Sequence, residues 1–489
     1  MKAPMNSILV PLLSLMATLS VGASEDACPQ RLVADDRAAW DGLGGSVSLS
    51  GSTAVLGAYG ETGGRGAAYV FQLQPDGSWI QEAKLMDPEP NASDNFGWFV
   101  SVEGSNALIG AYLDDRGLLN SGSATVWSRQ SQDSWVLEAR LAPNDPVQNH
   151  YFGNSVSLSG DLAGVSAYGD DTGGQNAGSV YLFRRLVDGS WNQEAKLIGP
   201  DQTVGDAFGY SVSVSGNRVL VGSAFDDVNG VTNAGSAWIF EHDGQGNWDP
   251  VAQLLRDDAV AYDFFGISVS LQGDLALVGA DNGAMERPGN ASIFQRQSDG
   301  SWIEIQRLSA SDAQNKDSFG IRVGLDGDHA IVGSYGDDDA GSASGSAYLF
   351  TQGDDGIWFE QAKLTASDAA AGDHFGCAVA ASEGRGLVGA SSDDQYAGSG
   401  HVFEFTGEDC NANGIIDQCE VGNDLNENGI PDDCECQGDL TGDLQIGIED
   451  LLLIIDQWNS VGGPGDANLD GLVDVDDLLL VINAWGPCS

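Results

Sequence analysis

The chain has 489 residues, 72 of them Asp or Glu against 20 Lys or Arg, for a formal net charge of −52. That length exceeds one ordinary domain, and the charge excludes DNA, RNA and an anionic membrane surface as direct partners. Hydrophobic residues at 42% exclude a disordered chain, and 67 glycines point to many tight turns and against long helical bundles.

Residues 1–23 read as a secretory signal peptide. Lys2 supplies a basic start, Ile8 to Val21 is mostly apolar, and Val21-Gly22-Ala23 ends in small residues. The apolar stretch is short for a membrane span, and no second one of 18 residues follows. Export permits disulfides among the seven cysteines, and the odd number leaves at least one thiol unpaired within the chain.

The phrase Asp-x-Phe-Gly then recurs with its Gly at Gly44, Gly97, Gly153, Gly209, Gly266, Gly320 and Gly376, at steps of 53, 56, 56, 57, 54 and 56. A fixed period of this size marks a repeat architecture. Each copy continues with an apolar run ending in Val-Gly-Ala, a Gly-Ser-Ala-Tyr-x-Phe run, and a stretch from a Trp to Ala-Lys-Leu. In the third copy these predict strands at Ser155 to Ser159, Ala163 to Ala167, Gly178 to Phe183 and Trp191 to Leu197. Four short antiparallel strands per unit cannot bury both faces alone, and radial stacking solves this. The expected fold is therefore all-β, a seven-bladed β-propeller of four-stranded antiparallel blades over residues 28–406.

The seventh copy, from Asp373 through Phe405, stops after its third strand, whereas Arg31-Leu32-Val33-Ala34-Asp35 stands before the first copy and matches Lys363-Leu364-Thr365-Ala366-Ser367. The N-terminal strand is thus expected to complete blade seven and close the ring. Cys28 before that strand and Cys410 after its neighbour are expected to form a disulfide across the closure.

These phrases resemble FG-GAP repeats, best known from integrin alpha subunits, and the likeness covers residues 30 to 406. The resemblance implies architecture and leaves function open. The repeated Asp (Asp41, Asp94, Asp206, Asp263, Asp317, Asp373, with His150 in the third copy) is expected to form turns by bonding backbone. The calcium-loop spacing of integrins is absent. Acids cluster instead after the second strand, as Asp114-Asp115, Asp170-Asp171, Asp226-Asp227, Asp337-Asp338-Asp339 and Asp393-Asp394. Two readings stand: a solvated carboxylate rim, or weak divalent-cation sites on one face.

Composition changes at Gly407. Over residues 407–435, Asp409, Asn411, Asn413 and Asp417, then Asp424, Asn426, Asn428 and Asp432, alternate around a Gly turn, the spacing by which a short loop supplies oxygens to Ca²⁺. These loops are similar to thrombospondin type 3 repeats, which are calcium-wrapped. Over residues 436–489, Asp439, Thr441, Asp443 and Asp450, and 27 residues later Asp466, Asn468, Asp470, Asp474 and Asp477, occupy EF-hand-type ligand positions. Helical runs follow each, Leu451 to Trp458 and Leu478 to Trp485. This duplication, with Asp at position 12, resembles a type I dockerin, a small calcium-loop and α-helical domain. The resemblance implies Ca²⁺ as cofactor and a cohesin-like or other receptor as protein partner. Leu444 replaces the turn Gly of the first loop, and Ile448-Glu449 and Val475-Asp476 stand where cellulosomal members carry the receptor-contacting Ser-Thr pair. Cys436 with Cys488 is expected to clasp the module, Cys419 with Cys434 is the remaining expected pair, and Cys377 is left as a buried free thiol.

No Gly-x-Ser-x-Gly elbow, His-Glu-x-x-His, P-loop or Rossmann fingerprint occurs, and the five histidines are dispersed. Trp79, Trp135, Trp191, Trp248, Trp302 and Trp358 hold one place in the six repeats that have a fourth strand, which fits packing between blades better than sugar stacking. The leading expectation is a secreted, extracellular or cell-surface protein (the periplasm being the other compartment), non-catalytic, calcium-binding, and serving adhesion, recognition or scaffold attachment. It inserts in no membrane after cleavage. The alternative is a carbohydrate-active protein whose propeller binds or hydrolyses polysaccharide and whose tail tethers it to an assembly.

Overall fold

Each repeat folds into one four-stranded antiparallel sheet. A computed structural model describes residues 30–131, 134–282, 287–353, 355–405, 445–446, 448–458, 460, 472–483 and 486–487. Among these, seven four-stranded sheets follow one another, each with its strands in chain order except the last. In the third, Phe152–Ser159, Leu162–Ala167, Ser179–Arg185 and Trp191–Leu197 run outward from a buried inner strand to a half-exposed outer one. The seven-bladed propeller expected from the period is thereby present.

The last sheet has the order Gln30–Leu32, Ser399–Glu404, Arg385–Ala390, Phe375–Ser382. The N-terminal strand pairs Gln30, Arg31 and Leu32 with Val402, His401 and Gly400 and so supplies the outer strand of blade seven. Leu32, 2% exposed, packs with Leu43, Val47 and Leu56 of blade one and Leu387 and Val402 of blade seven. The expected ring closure therefore has an apolar seam.

The core lies between sheets, because each blade shows an apolar face to the next. The Phe of the repeated phrase fills that space as Phe96, Phe152, Phe208, Phe265, Phe319 and Phe375, all at most 1% exposed, with Leu43 in blade one. Burial of such a side chain contributes about 2 to 3 kcal/mol. Just outside it, the Gly of Val-Gly-Ala meets the Gly of Phe-Gly in the next blade. A Cβ on Gly57, Gly110, Gly222, Gly279, Gly333 or Gly389 would lie 1.9–2.1 Å from that neighbour's carbonyl oxygen.

Inner strands leave backbone N–H groups without a strand partner. Serines of the preceding blade accept them: Val100 and Val102 donate to Ser46 and Ser48 (2.9 Å each), Val212 and Val214 to Ser155 and Ser157 (3.1 and 2.9 Å). Gly51 donates to Ser382 at 3.0 Å, so the ties also cross the closure. The alternating serines thus do more than fit a narrow gap.

In the C-terminal region, helices Ile448–Asp456 and Val475–Asn483 begin three residues earlier than their apolar runs suggested. They share a core of Ile454, Val473 and Val481, flanked by Leu451 and Leu478. Residues 445–446 pair with 486–487, which joins the two ends of the module. Among the described residues no helix is long and apolar enough to cross a membrane.

Candidate functional site

One end of the propeller collects the loops that enter each inner strand and leave each second strand. At the entry, the repeated Asp accepts the backbone N–H three residues before it, from Ala38, Asn91, Val260, Gln314 and Ala370 at 2.6–2.8 Å. The turn-forming role expected of it holds. His150, buried in the same place in blade three, bonds Asp170 at 2.9 Å instead. Residues on either side of this position have left-handed φ in every repeat, including Tyr151 (+55°), Tyr262 (+64°), Phe264 (+54°) and His374 (+57°). For a residue with a Cβ that conformation costs about 1 kcal/mol, so these loops carry side chains on a stiff, mildly strained frame.

At the exit, the first acid is buried in four of the five clusters, with Asp226 half-buried, which corrects the solvated-rim reading. Asp114, Asp170, Asp337 and Asp393 are 1–6% exposed and Glu61 8%. A cation on the outer strand joins this acid to one at the end of the previous blade's outer strand. Lys84 bridges Glu61 (2.9 Å) and Asp36 (2.6 Å), and Lys196 bridges Asp170 (2.6 Å) and Asp145 (2.7 Å). Lys363 bonds Asp337, Asp312 and Asp339 at 2.9, 2.6 and 2.5 Å. Those three carboxylates have the spacing of a metal site, but the lysine ammonium already fills their centre. Arg140 and Arg307 serve Asp87 and Asp258, and Arg31 of the closing strand serves Asp368 at 2.9 Å. Burial alone would raise the Asp170 carboxyl, yet hydrogen bonds from His150 and Lys196 hold it far below the usual range.

Blade four breaks the series, because Gln253 stands where blade three has Lys196. Its amide reaches Asp201 at 2.7 Å but brings no charge to Asp226. Burial, with the Asp206 and Asp201 carboxylates nearby, outweighs the Ser236 hydrogen bond and pushes Asp226 up to about 6. A raised carboxyl means the folded state binds the proton more tightly, so this group lowers stability above pH 6 and ceases to do so below its unfolded value near 4. Gln253→Lys should therefore stabilise the protein by about 1 kcal/mol above pH 6, with the gain fading toward pH 4. Denaturant unfolding of both proteins at pH 4 and pH 7.5 checks this, and an equal gain at both would refute it.

Inside the ionic ring runs an arc of aromatic side chains. Ring centroids step from Tyr59 to Trp98 (5.1 Å), Tyr112 (4.8 Å), Tyr151 (6.2 Å), Tyr168 (5.0 Å, 9° between planes), Tyr210 (6.3 Å), Phe225 (5.4 Å), Phe264 (5.5 Å) and Tyr262 (6.1 Å). Tyr262 is exposed and the rest are half-buried. Sequence reasoning passed over them, since they occupy the variable x of Asp-x-Phe-Gly, the place before its Asp, and positions near Phe-Gly and Val-Gly-Ala. The usable signal was that variable positions inside a fixed phrase hold bulky rings.

Two hollows interrupt the arc. One, of about 540 Å³ between blades three and four, is lined by Tyr151, Tyr168, Phe225, Ala207, Gly205, Gly169, Gln148, Asn149, Asp171, Gln175 and Asn176. The other, of about 260 Å³, has Tyr59, Trp98, Phe99, Tyr335, His374, Arg322 and Cys377 in its wall. The Arg322 guanidinium lies over the Phe99 ring at 5.6 Å. Cys377 is a free thiol on an inner strand as expected, but it is only partly buried because it faces this hollow. The other six cysteines, and the three disulfides expected of them, lie outside the described residues.

The outer-strand tryptophans pack between blades, as expected. Indole N–H groups of Trp135, Trp191 and Trp248 donate to Glu82, Glu138 and Glu194 of the preceding blade at 3.2, 2.9 and 2.8 Å.

Of the expected calcium ligands, Asp450 and Asp477 fall in the first turn of their helices, and Asp474 precedes the second, half-buried. Asp439, Thr441, Asp443, Asp466, Asn468 and Asp470 lie outside the described residues, as do Asp409, Asn411, Asn413, Asp417, Asp424, Asn426, Asn428 and Asp432. The two helices also leave matching apolar stripes uncovered. Ile448, Leu452 and Ile455 on the first, and Val475, Leu479 and Ile482 on the second, are 47–65% exposed at the same i, i+4, i+7 spacing.

No curated protein matches the sequence. The FG-GAP repeat pattern matches seven times, over residues 29–71, 79–127, 135–183, 191–240, 248–294, 302–350 and 358–403. Each match starts with the outer strand of one blade and ends with the third strand of the next, the phase that a closing N-terminal strand requires. On repeats that span most of its length, the chain belongs to the FG-GAP repeat family.

Proposed function

We propose that this protein is an exported, non-catalytic recognition protein: the loop face of the propeller binds a ligand, and the C-terminal module attaches the propeller to a larger assembly through a protein receptor. The paired apolar stripes carry the attachment reading. Isolated apolar residues on a surface are ordinary, but two three-residue stripes in one register, 27 residues apart, are an interaction face awaiting a partner. The stripes include Ile448 and Val475, at the positions where cellulosomal dockerins carry hydroxyl residues, so the receptor matched to them is more apolar than a typical cohesin.

Calcium orders this module in the proposal. The small core of Ile454, Val473 and Val481 cannot alone offset the entropy of ordering the chain around it, and empty loops of clustered carboxylates repel themselves. Binding free energy then becomes folding free energy. In limited proteolysis of the full chain, excess Ca²⁺ should protect residues 436–489 and EDTA should expose them, with the propeller intact in both. Paired Asp439→Ala and Asp466→Ala substitutions should abolish the protection. A tail equally resistant in EDTA would remove the proposal.

A further inference from the structure

We infer that the slot between blades three and four binds a neutral carbohydrate chain; this rests on the reading of the loop face as a ligand surface and names what it takes. The slot arises where blade four carries small residues on both sides of its turn Asp. Blade four has Gly205 and Ala207 on either side of its turn Asp, where blade three has Asn149 and Tyr151 and blade five has Tyr262 and Phe264. With the same left-handed backbone (Ala207 φ +51°) but almost no side chain, blade four leaves a floor between aromatic walls, Tyr151 and Tyr168 on one side and Phe225 on the other.

The junction beneath is also the widest of the seven. A Cβ on the Phe-Gly glycine would come within 2.1–2.3 Å of the facing carbonyl oxygen at six junctions, but 2.8 Å at Gly209, where Ser166 replaces the opposing glycine. Small residues at two variable positions and a serine in place of one repeated glycine therefore open one place.

The lining selects the ligand class. Aromatic faces suit the C–H faces of a pyranose, and the amides of Gln148, Gln175 and Asn176 both donate to and accept from hydroxyl groups. No Lys or Arg lines the slot, so an anionic sugar has no counter-charge. A cation is disfavoured too, since the one lining carboxylate, Asp171, already accepts the Asn176 backbone N–H at 2.8 Å. A single carboxylate also suits binding and not hydrolysis, which needs a pair. The burial-raised phenol of Tyr168 stays protonated and able to donate.

The test is calorimetric titration of the full chain with neutral hexose and pentose oligosaccharides, a uronate oligomer and a proline-rich peptide. Neutral oligosaccharides should bind, with affinity unchanged in 0.5 M salt. Ala207→Phe, which copies the residue blade five carries on the same backbone, should weaken binding at least tenfold without lowering the melting temperature. Tyr168→Ala should weaken it comparably and decides the matter should the filled variant misfold. Binding only of the uronate or the peptide, binding lost in salt, binding indifferent to both variants, or no binding would each overturn the inference. None of these results bears on calcium protection of the tail, so the two proposals fail separately.

Discussion

Leu32→Asp should unzip blade seven. Leu32 is the apolar plug of the closing strand, 2% exposed among side chains of blades one and seven. A carboxylate there has no partner, and an unpaired charge in such a site costs more than about 4 kcal/mol. The strand is only three residues long, so the penalty is met most cheaply by its release. Release also forfeits the Arg31 ion pair to Asp368 and frees ends about 370 residues apart, whose rejoining costs on the order of 5 kcal/mol of chain entropy. Hydrogen exchange should therefore accelerate first in Ser399–Glu404, the strand that loses its outer neighbour, and only then in the other blades. Leu32→Ala should act in the same order at about 2 to 4 kcal/mol. Uniform acceleration through all seven blades would mean that the ring does not open at this seam.

That seam was readable because Arg31-Leu32 copies Lys363-Leu364, and the copy extends to function: Arg31 takes the bridging place that Lys363 takes in blade six. The repeated Asp was readable for a similar reason, since a turn contact lies within three residues of its origin. The ionic ring was not readable, because each bridge joins two loops and a strand from two blades. Asp170 and Asp171 look equivalent in the sequence, yet one is buried against Lys196 and the other is exposed in the slot. The aromatic arc was hidden differently. Attention to what recurs discards what varies, and Tyr151, Ala207 and Phe264 matter because they differ at one shared place. The helices of the tail begin before their apolar runs, since Ile448 and Val475 count there as exposed stripe residues and not as core.

The glycine contacts between blades make the second strong prediction, and they separate steric from conformational roles of glycine. Gly279 has an ordinary φ, so alanine there meets no backbone penalty of its own. Its Cβ would nevertheless stand 2.0 Å from the Gly320 carbonyl oxygen and 3.0 Å from the carbonyl carbon. Both belong to the inner edge of blade six, which cannot yield without parting Phe319 and Val323 from the blade-five side chains packed on them. Overpacking of this kind costs about 1 to 3 kcal/mol where side chains can shift, and here backbone opposes backbone, so at least 3 kcal/mol is expected. Gly273 in the same blade is the converse. Its φ of +57° is left-handed, but a Cβ there meets nothing within 4 Å. Gly273→Ala should therefore cost only the dihedral term, about 1 kcal/mol. Denaturant unfolding of the two variants beside the parent measures both. The order should be Gly279→Ala far below Gly273→Ala, and equal losses would show that adjacent sheets separate easily. Ser166 at the blade three to four junction marks where the native chain already accepts that separation, and its Oγ takes up the Ser155 N–H at 2.8 Å in the space gained.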